Sequence, residues 1–575
     1  MNPFNPNHFI GYINHVNPQY VRVHFPSSVL LNKYIFSGEE FNGGLIGNFV
    51  TIEGENYGFI GKIAELDLPE KERLSLSERA FQSSDFHPTA KVEILLCFDY
   101  FKCDKAQRNF NSFPNIGSKV YVCAKKFIER YVSNFGSKSD KDELFIELGK
   151  LTSNKNTVVN ISQQALFERH CAVVGTTGSG KSWSVSRLIE SMKENHSKAI
   201  LIDPTGEYED LSKANDSTNA VLGKTTFFSY KRLTTEDLFF LVRPAGRVQA
   251  PKLLEAIRSL KCIELNIKDD PKFTRFCTEN GTLQKTGMDK KEFERFCYKY
   301  VDKVEDGLLT FDIRNLERQI NSECIYDTDL NNPSVFGGRY DNDLNNCISL
   351  ISRIANIRRT KILQEVFCFN QENEGLKELT DIIDSFINCD DKNLLRIGFE
   401  YIGFESQARE IVANAIGKYL LIKARNNVFK ANPIVLFIDE AHQFLNNSVV
   451  DEYFETSSLS AFDSISKECR KYGLFLCLST QMPKDIPIGT LSQVGCFLVH
   501  RLINQYDKEA IRQACSSANT DMLNFLPVLG AGEAILTGVG FPMPVTIKVN
   551  EPTIPPDSKT PIFKTVKDTE IIDSK

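Results

Sequence analysis

The run Gly175-Thr176-Thr177-Gly178-Ser179-Gly180-Lys181-Ser182 has the residue types and spacing that hold a polyphosphate. Its glycines let backbone N–H groups turn inward around phosphate oxygens, and a helix N-terminus behind them adds positive potential. In that arrangement Lys181 reaches the β- and γ-phosphates and the Ser182 hydroxyl ligates Mg²⁺. A second group follows the apolar run Ile434-Val435-Leu436-Phe437-Ile438, where Asp439 and Glu440 stand side by side. At the carboxyl end of a buried strand, Asp439 is placed to hold Mg²⁺, generally through water. Glu440 points elsewhere and can polarise an attacking water. A third run, Leu476-Cys477-Leu478, delivers Ser479, Thr480 and Gln481. Gln481 can sense the γ-phosphate or orient that water. If Glu440 is the catalytic base, this third strand should lie between the phosphate-loop strand and the Asp439 strand. Phosphoryl transfer also needs positive charge on its transition state, often an arginine from a neighbouring subunit. Arg169, just ahead of the phosphate-loop strand, and Arg470, at the end of the helix before the third strand, are the candidates.

These groups need a scaffold. Cys171-Ala172-Val173-Val174 reads as a buried strand, Lys181 to Glu194 as a helix, and Ala199-Ile200-Leu201-Ile202-Asp203 as the next strand. Ile434 to Asp439, Leu474 to Ser479 and Cys496 to His500 follow. Near-continuous apolar strands alternating with helices indicate a parallel sheet covered on both faces. The fold class is therefore α/β: a parallel-sheet core with a β-rich N-terminal domain and a helical insertion. Short alternating runs such as Tyr20 to Phe25, Phe49 to Ile52 and Lys119 to Val122, with Gly/Asn turns between them, give the barrel or sandwich. The expected division is a barrel over 1–155, core over 156–214, insertion over 215–395, core over 396–550, and a tail or strap over 551–575. The insertion shows helix-period spacing, as in Leu253, Leu254, Ile257 and Leu260. Residues 327–346, rich in Asn, Asp and Gly, read as a loop. The last segment carries Pro552, Pro555, Pro556 and Pro561 without periodicity.

Composition narrows the partners. At roughly 150 residues per domain, 575 residues accommodate about three to four domains. A content of 42% hydrophobic and 25% charged residues excludes global disorder and fibrous folds. The net charge of −6, from 68 Lys+Arg against 74 Asp+Glu, excludes a generic nucleic-acid coat but leaves room for a local basic channel. The 15 cysteines are scattered without a C-x-x-C pair, as expected of free thiols in a reducing cytosol and not of a zinc site. The apolar runs are of strand length and the N-terminus has no signal pattern, so a cytoplasmic protein without a membrane span is expected.

The phosphate-loop run, Asp203-Pro204-Thr205-Gly206-Glu207-Tyr208, Asp439-Glu440-Ala441-His442, Arg470-Lys471-Tyr472-Gly473 and Ser479-Thr480-Gln481 together resemble the HerA-type ATPases of the HerA/FtsK superfamily. The β-rich start, with Gly47-Asn48-Phe49-Val50 and Ile60-Gly61-Lys62-Ile63, is similar to that family's N-terminal barrel. The resemblance implies a RecA-like P-loop ATPase core with an N-terminal β-barrel and a helical insertion, in a homo-hexameric ring motor that uses ATP and Mg²⁺ to thread double-stranded DNA through a central pore. A partner nuclease, or in antiphage defence a NAD-degrading effector, would dock on the barrel. It also implies the roles above: Lys181 and Ser182 for nucleotide and Mg²⁺, Asp439 and Glu440 for metal and base, Gln481 as sensor, and Arg169 and Arg470 as trans-acting fingers. Asp203 and Glu207 would sit near the nucleotide and couple hydrolysis to motion. Thr205 stands where relatives usually have His, and Met482 where they usually have Arg. Gly337-Gly338-Arg339, Arg243 and Arg247 are pore-loop candidates. Two alternatives remain at this stage: an ATP-regulated scaffold ring that activates a partner enzyme, and, less consistent with an Asp-Glu pair, a metabolic kinase.

Overall fold

The computed structural model describes residues 2–558 apart from 70–85, 102–105, 108–111, 134, 138–142, 154–155, 266–270, 371–374, 404–406, 446–447, 450–456, 516 and 519. Six antiparallel strands open the chain: β1 (Phe9–Val16), β2 (Tyr20–His24), β3 (Phe49–Glu53), β4 (Tyr57–Asp67), β5 (Thr89–Asp99) and β6 (Lys119–Val122). Their order is β2-β1-β6-β3-β4-β5, and β5 pairs back onto β2 from Tyr20↔Glu93 to His24↔Thr89, which closes a barrel. Closure leaves no open edge among these six strands. The interior is filled by Ile10, Val21, Val23, Ile52, Phe59 and Val92, all buried.

The second sheet carries the chemistry. Its strands are β7 (Phe145–Leu151), β8 (Val158–Ser162), β9 (Cys171–Val174), β10 (Lys198–Asp203), β11 (Ser217–Val221), β12 (Leu394–Gly398), β13 (Ile434–Ile438), β14 (Leu474–Thr480), β15 (Cys496–Val499), β16 (Glu533–Gly538) and β17 (Val545–Val549). The order is β8-β7-β17-β16-β15-β9-β14-β13-β10-β12-β11. The stretch from β15 to β11 is parallel; β16, β17, β7 and β8 extend it antiparallel. In the parallel stretch, β9, β10, β12 and β13 are buried at every position, as expected where both faces are covered. The strand ending in Ser479-Thr480, β14, lies between β9 and β13, which is the position that a base at Glu440 requires.

The structure moves three expected boundaries. Residues Phe145–Leu151, inside the boundary expected for the barrel, pair with β17 in the core sheet. Ser217–Val221, placed in the insertion, is the parallel edge strand of the core. Leu394 and Leu395, also placed there, belong to β12. Short core strands at an insertion's rim carry too few residues to announce their pairing. Between β11 and β12 the chain is mainly helical, with α2 (Thr235–Val242), α3 (Gln249–Glu264), α4 (Leu316–Glu323) and α5 (Asp341–Arg359), after α1 (Lys181–Glu194) in the core. A capping box starts α2: Thr234 accepts from Asp237 N–H, and the Asp237 carboxylate accepts from Thr234 N–H at 2.9 Å. The same carboxylate accepts from Lys418 at 3.0 Å on α6 (Ala408–Arg425), which docks the insertion on the core. The expected loop over 327–346 ends early, because Asp341 to Asn346 form the first turns of α5. No helix among the described residues is long and apolar enough to cross a membrane.

Barrel and core are continuous in their packing. One cluster runs from Phe49 and Phe98 on the barrel wall through Phe127 and Phe135 to Val173 and Leu188 of the core. Across it, Lys62 on β4 donates to Thr546 Oγ1 on β17 at 3.3 Å, and burial lowers its pKa.

Candidate active site

Strand β9 ends in the phosphate loop, whose shape requires glycine. Gly178 and Gly180 have φ of 72° and 103°, the left-handed region. At Gly175 a Cβ would sit 2.5 Å from Ser179 Oγ and 2.6 Å from His500 Cβ. The loop is held from outside by backbone: Thr176 N–H donates to Arg501 O at 3.0 Å, and Gly532 N–H donates to Ser179 O at 2.8 Å. His500 props it from below. Its ring bonds Ser184 Oγ through Nε2 and Glu533 O through Nδ1, both at 2.9 Å, and burial pushes its pKa down to about 4, so it is neutral.

The second group meets this loop. Lys181 is 5% exposed, and its Nζ donates to Glu440 Oε1 at 2.7 Å, with Asp439 Oδ1 at 3.7 Å. Asp439 accepts from Ser479 Oγ at 2.6 Å, and burial raises its pKa against the pull of Lys181. Gln481 links the two sides: its Nε2 donates to Glu440 Oε1 at 2.5 Å, and its Oε1 accepts from Thr177 Oγ1 at 2.5 Å. Glu440 has φ of 44°, strained for a residue with a Cβ, and its Oε2 is buried without a hydrogen-bond partner. Glu207 lies beside Ser182; burial first, then the Asp439 charge, raises its pKa, and its Oε2 is likewise buried and unpartnered. These residues fit Mg²⁺: the Ser182 hydroxyl and Asp439 would hold it. No group of three His, Cys, Asp or Glu among the described residues forms a metal cage alone, so phosphate and water would complete its shell.

Asp203, expected near the nucleotide, is committed elsewhere. Its carboxylate accepts from Gly206 N–H at 2.8 Å, from Tyr208 N–H at 3.1 Å and from Arg396 Nε at 2.7 Å, and both side chains of that pair are fully buried. It shapes the loop that presents Glu207 and does not line the cavity. That cavity, about 440 Å³, is lined by Thr176, Thr177, Gly178, Gly180, Lys181, Ser182, Glu207, Glu440 and Gln481. The rest of its lining was not foreseen: Trp183, Ala531, Gly532, Lys548, Val549, Glu551 and Ser558. Only Trp183, the residue after the loop serine and the sole tryptophan, gave a sequence signal.

Arg169 and Arg470 share a different cavity, of about 380 Å³, with His170 and Gly495. It lies at the start of β9, opposite the end that carries the phosphate loop. His170 ties it together: its Nδ1 accepts from Leu476 N–H at 2.9 Å and its Nε2 bonds Ser466 O at 3.0 Å. Of the other basic candidates, Arg339 pairs with Asp341 at 2.8 Å, and Arg243 and Arg247 are exposed.

The family model described as the helicase HerA central domain matches residues 146–304, and the HerA-like C-terminal domain matches residues 429–574. Together they cover just over half of the chain. A probable helicase of Methanocaldococcus jannaschii is 22% identical over 521 residues, covering 88% of this chain and 86% of its own. The DNA double-strand break repair helicase HerA of Saccharolobus solfataricus is 23% identical over 519 residues, 88% of this chain and 87% of its own. Among solved structures, the bacterial conjugative coupling protein TrwB aligns at 12% identity and a TM-score of 0.41, over 76% of this chain and 94% of its own.

Proposed function

Because the chain belongs to the HerA-type ATPases of the HerA/FtsK superfamily and is a P-loop ATPase, we propose that it is a homo-hexameric motor that moves double-stranded DNA. The observation that supports assembly is the separation of the two cavities. The arginines sit at one end of β9 and the phosphate loop at the other, so Arg169 and Arg470 serve a nucleotide only on a neighbouring copy. With Mg²⁺ on Ser182 and Asp439, the metal would neutralise developing phosphate charge. The chain supplies the rest. Lys181 leaves Glu440 for the phosphates, Glu440 takes a proton from the attacking water, and Gln481 reports the γ-phosphate from its bridge between Thr177 and Glu440.

The exposed apolar side chains Val29, Ile35 and Ile116 on the barrel segment support docking of a partner there, a nuclease or a NAD-degrading effector. The role that follows is DNA end processing or antiphage defence in the cytoplasm. If ATP served only as a regulatory ligand, the ring would be a scaffold for that effector; the net charge of −6 is compatible with it. Steady-state ATP hydrolysis with and without linear duplex DNA, beside Lys181→Ala, separates the two. Stimulation by duplex, absent in the variant, supports the motor. Weak turnover indifferent to DNA overturns it in favour of the scaffold.

A further inference from the structure

We propose that residues 548–558, held in place by Glu190, form the nucleoside end of the nucleotide site, which takes the ribose and base. This rests on the ATPase assignment and deepens it. The phosphate loop, Lys181 and Glu440 line part of the 440 Å³ cavity; Trp183, Gly532, Lys548, Val549, Glu551 and Ser558 line the rest, with Gly532 against the loop. An indole on the lining of such a cavity offers a flat apolar face for a purine. The lysine, carboxylate and hydroxyl offer hydrogen bonds to ribose hydroxyls and ring nitrogens.

The segment is anchored along its length. Asn550 N–H donates to Leu148 O at 2.9 Å and its amide to Glu147 at 3.0 Å. Thr553 and Ile554 N–H donate to the two oxygens of Glu190 at 3.0 and 2.7 Å. Asp557 N–H donates to Glu207 O at 2.8 Å, beside the Mg²⁺ side of the site. Pro552, Pro555 and Pro556 have no N–H and a fixed φ, and the chain bends at Thr553 and Ile554 between them, which presents the two donors that Glu190 takes. Ile554 packs on the core cluster. Glu190 itself is 8% exposed, on α1, two turns beyond Trp183 and therefore on the same helix face. Among the described residues its only ion pair is with Arg187, at 3.5 Å. No step of hydrolysis uses it. Its carboxylate is a positioning group: the charge-assisted bonds hold the strap whose Glu551 and Ser558 line the cavity.

The test compares ADP with tripolyphosphate, which carries the phosphates without the nucleoside. Affinities are read on the full chain by calorimetry and by the fluorescence of Trp183. Glu190→Ala is expected to weaken ADP on the order of ten-fold, because the strap must then be ordered on binding, and to leave tripolyphosphate unchanged. Glu190→Gln, which keeps one acceptor oxygen, should fall between. Thr553→Pro deletes one donor at an exposed position and gives the same split should Glu190→Ala fail to fold. Unchanged ADP affinity in these variants, or a parallel loss for both ligands, overturns the proposal and leaves the ATPase assignment standing. A wild-type chain that binds neither ligand overturns both.

Discussion

Asp203→Asn tests whether the carboxylate at the end of β10 is architecture or ligand. Its oxygens accept three backbone N–H groups, from Thr205, Gly206 and Tyr208, and the Arg396 guanidinium at 2.7 Å. Asparagine keeps the shape and one acceptor but removes the charge, while Arg396 stays fully buried. Removing one partner of a buried pair costs about 3–5 kcal/mol. Arg396 retains Glu400 at 3.2 Å and Asn219 at 2.9 Å, which places the expected loss near the lower end, about 3 kcal/mol. That is a large share of a typical domain stability of about 5–15 kcal/mol. Urea unfolding followed by far-UV circular dichroism reads the loss, and ADP affinity is measured at low denaturant, where the variant is folded. The expected outcome is a lower midpoint with ADP affinity within about two-fold of wild type, that is within about 0.4 kcal/mol. Asp203→Leu with Arg396→Met should recover part of the loss, since an apolar pair can replace a buried ionic one. An unchanged midpoint together with about ten-fold weaker ADP would refute the structural role and return Asp203 to the nucleotide.

Glu440→Gln removes the base and should lower kcat by about 10²–10⁴. It should hold ATP at least as tightly, because Lys181 loses the nearer of its two carboxylate partners; turnover at the wild-type rate would falsify the assignment. Arg470→Ala should cost about 10³-fold or more, and mixing it with Lys181→Ala should restore activity in rings that pair an intact loop with an intact arginine. No recovery at any mixing ratio excludes action in trans. Burial pushes His170 and His500 to about 4, below their ordinary 6.5, so the unfolded chain takes up protons first as pH falls. Their contribution is present above pH 6.5 and is lost towards pH 4, by roughly 3 kcal/mol each. Asp439 and Glu207 run the other way: burial raises both, so their contribution is present at low pH and lost as pH rises through their folded values. The unfolding midpoint should therefore fall between pH 6.5 and 4.5 more steeply in wild type than in His500→Gln, and equal slopes would count against the neutral buried imidazole.

The phosphate loop, the Asp-Glu pair and the position of β14 between β9 and β13 were legible because each lies on a long apolar strand or a glycine-spaced loop. The antiparallel extension was not. β7 alternates like a barrel strand, and its partner, β17, lies some four hundred residues away, so only pairing assigns it to the core. Asp203 was legible as important but not as what: a strand-end aspartate looks the same whether it faces a phosphate or Arg396. Lys548, Glu551 and Ser558 carry no motif; they reach the nucleotide cavity because the sheet folds its last strand beside its first. His500 reads as the end of a strand and His170 carries no motif, and only three dimensions show that each braces a cavity.

The phosphate loop is short, local and early in the chain, yet little of what surrounds it is. Its strand pairs with β14 and β15, the Ser179 carbonyl is met by Gly532, and the rest of the cavity lining arrives with Lys548. A ribosome making this protein has therefore produced the motif long before it has produced the enzyme. Until more than three hundred further residues emerge, the nascent loop has neither its sheet neighbours nor its closing strap. Nucleotide then has no formed pocket to stabilise, and a stalled or prematurely ended chain has a recognisable ATP motif without a site to hydrolyse ATP.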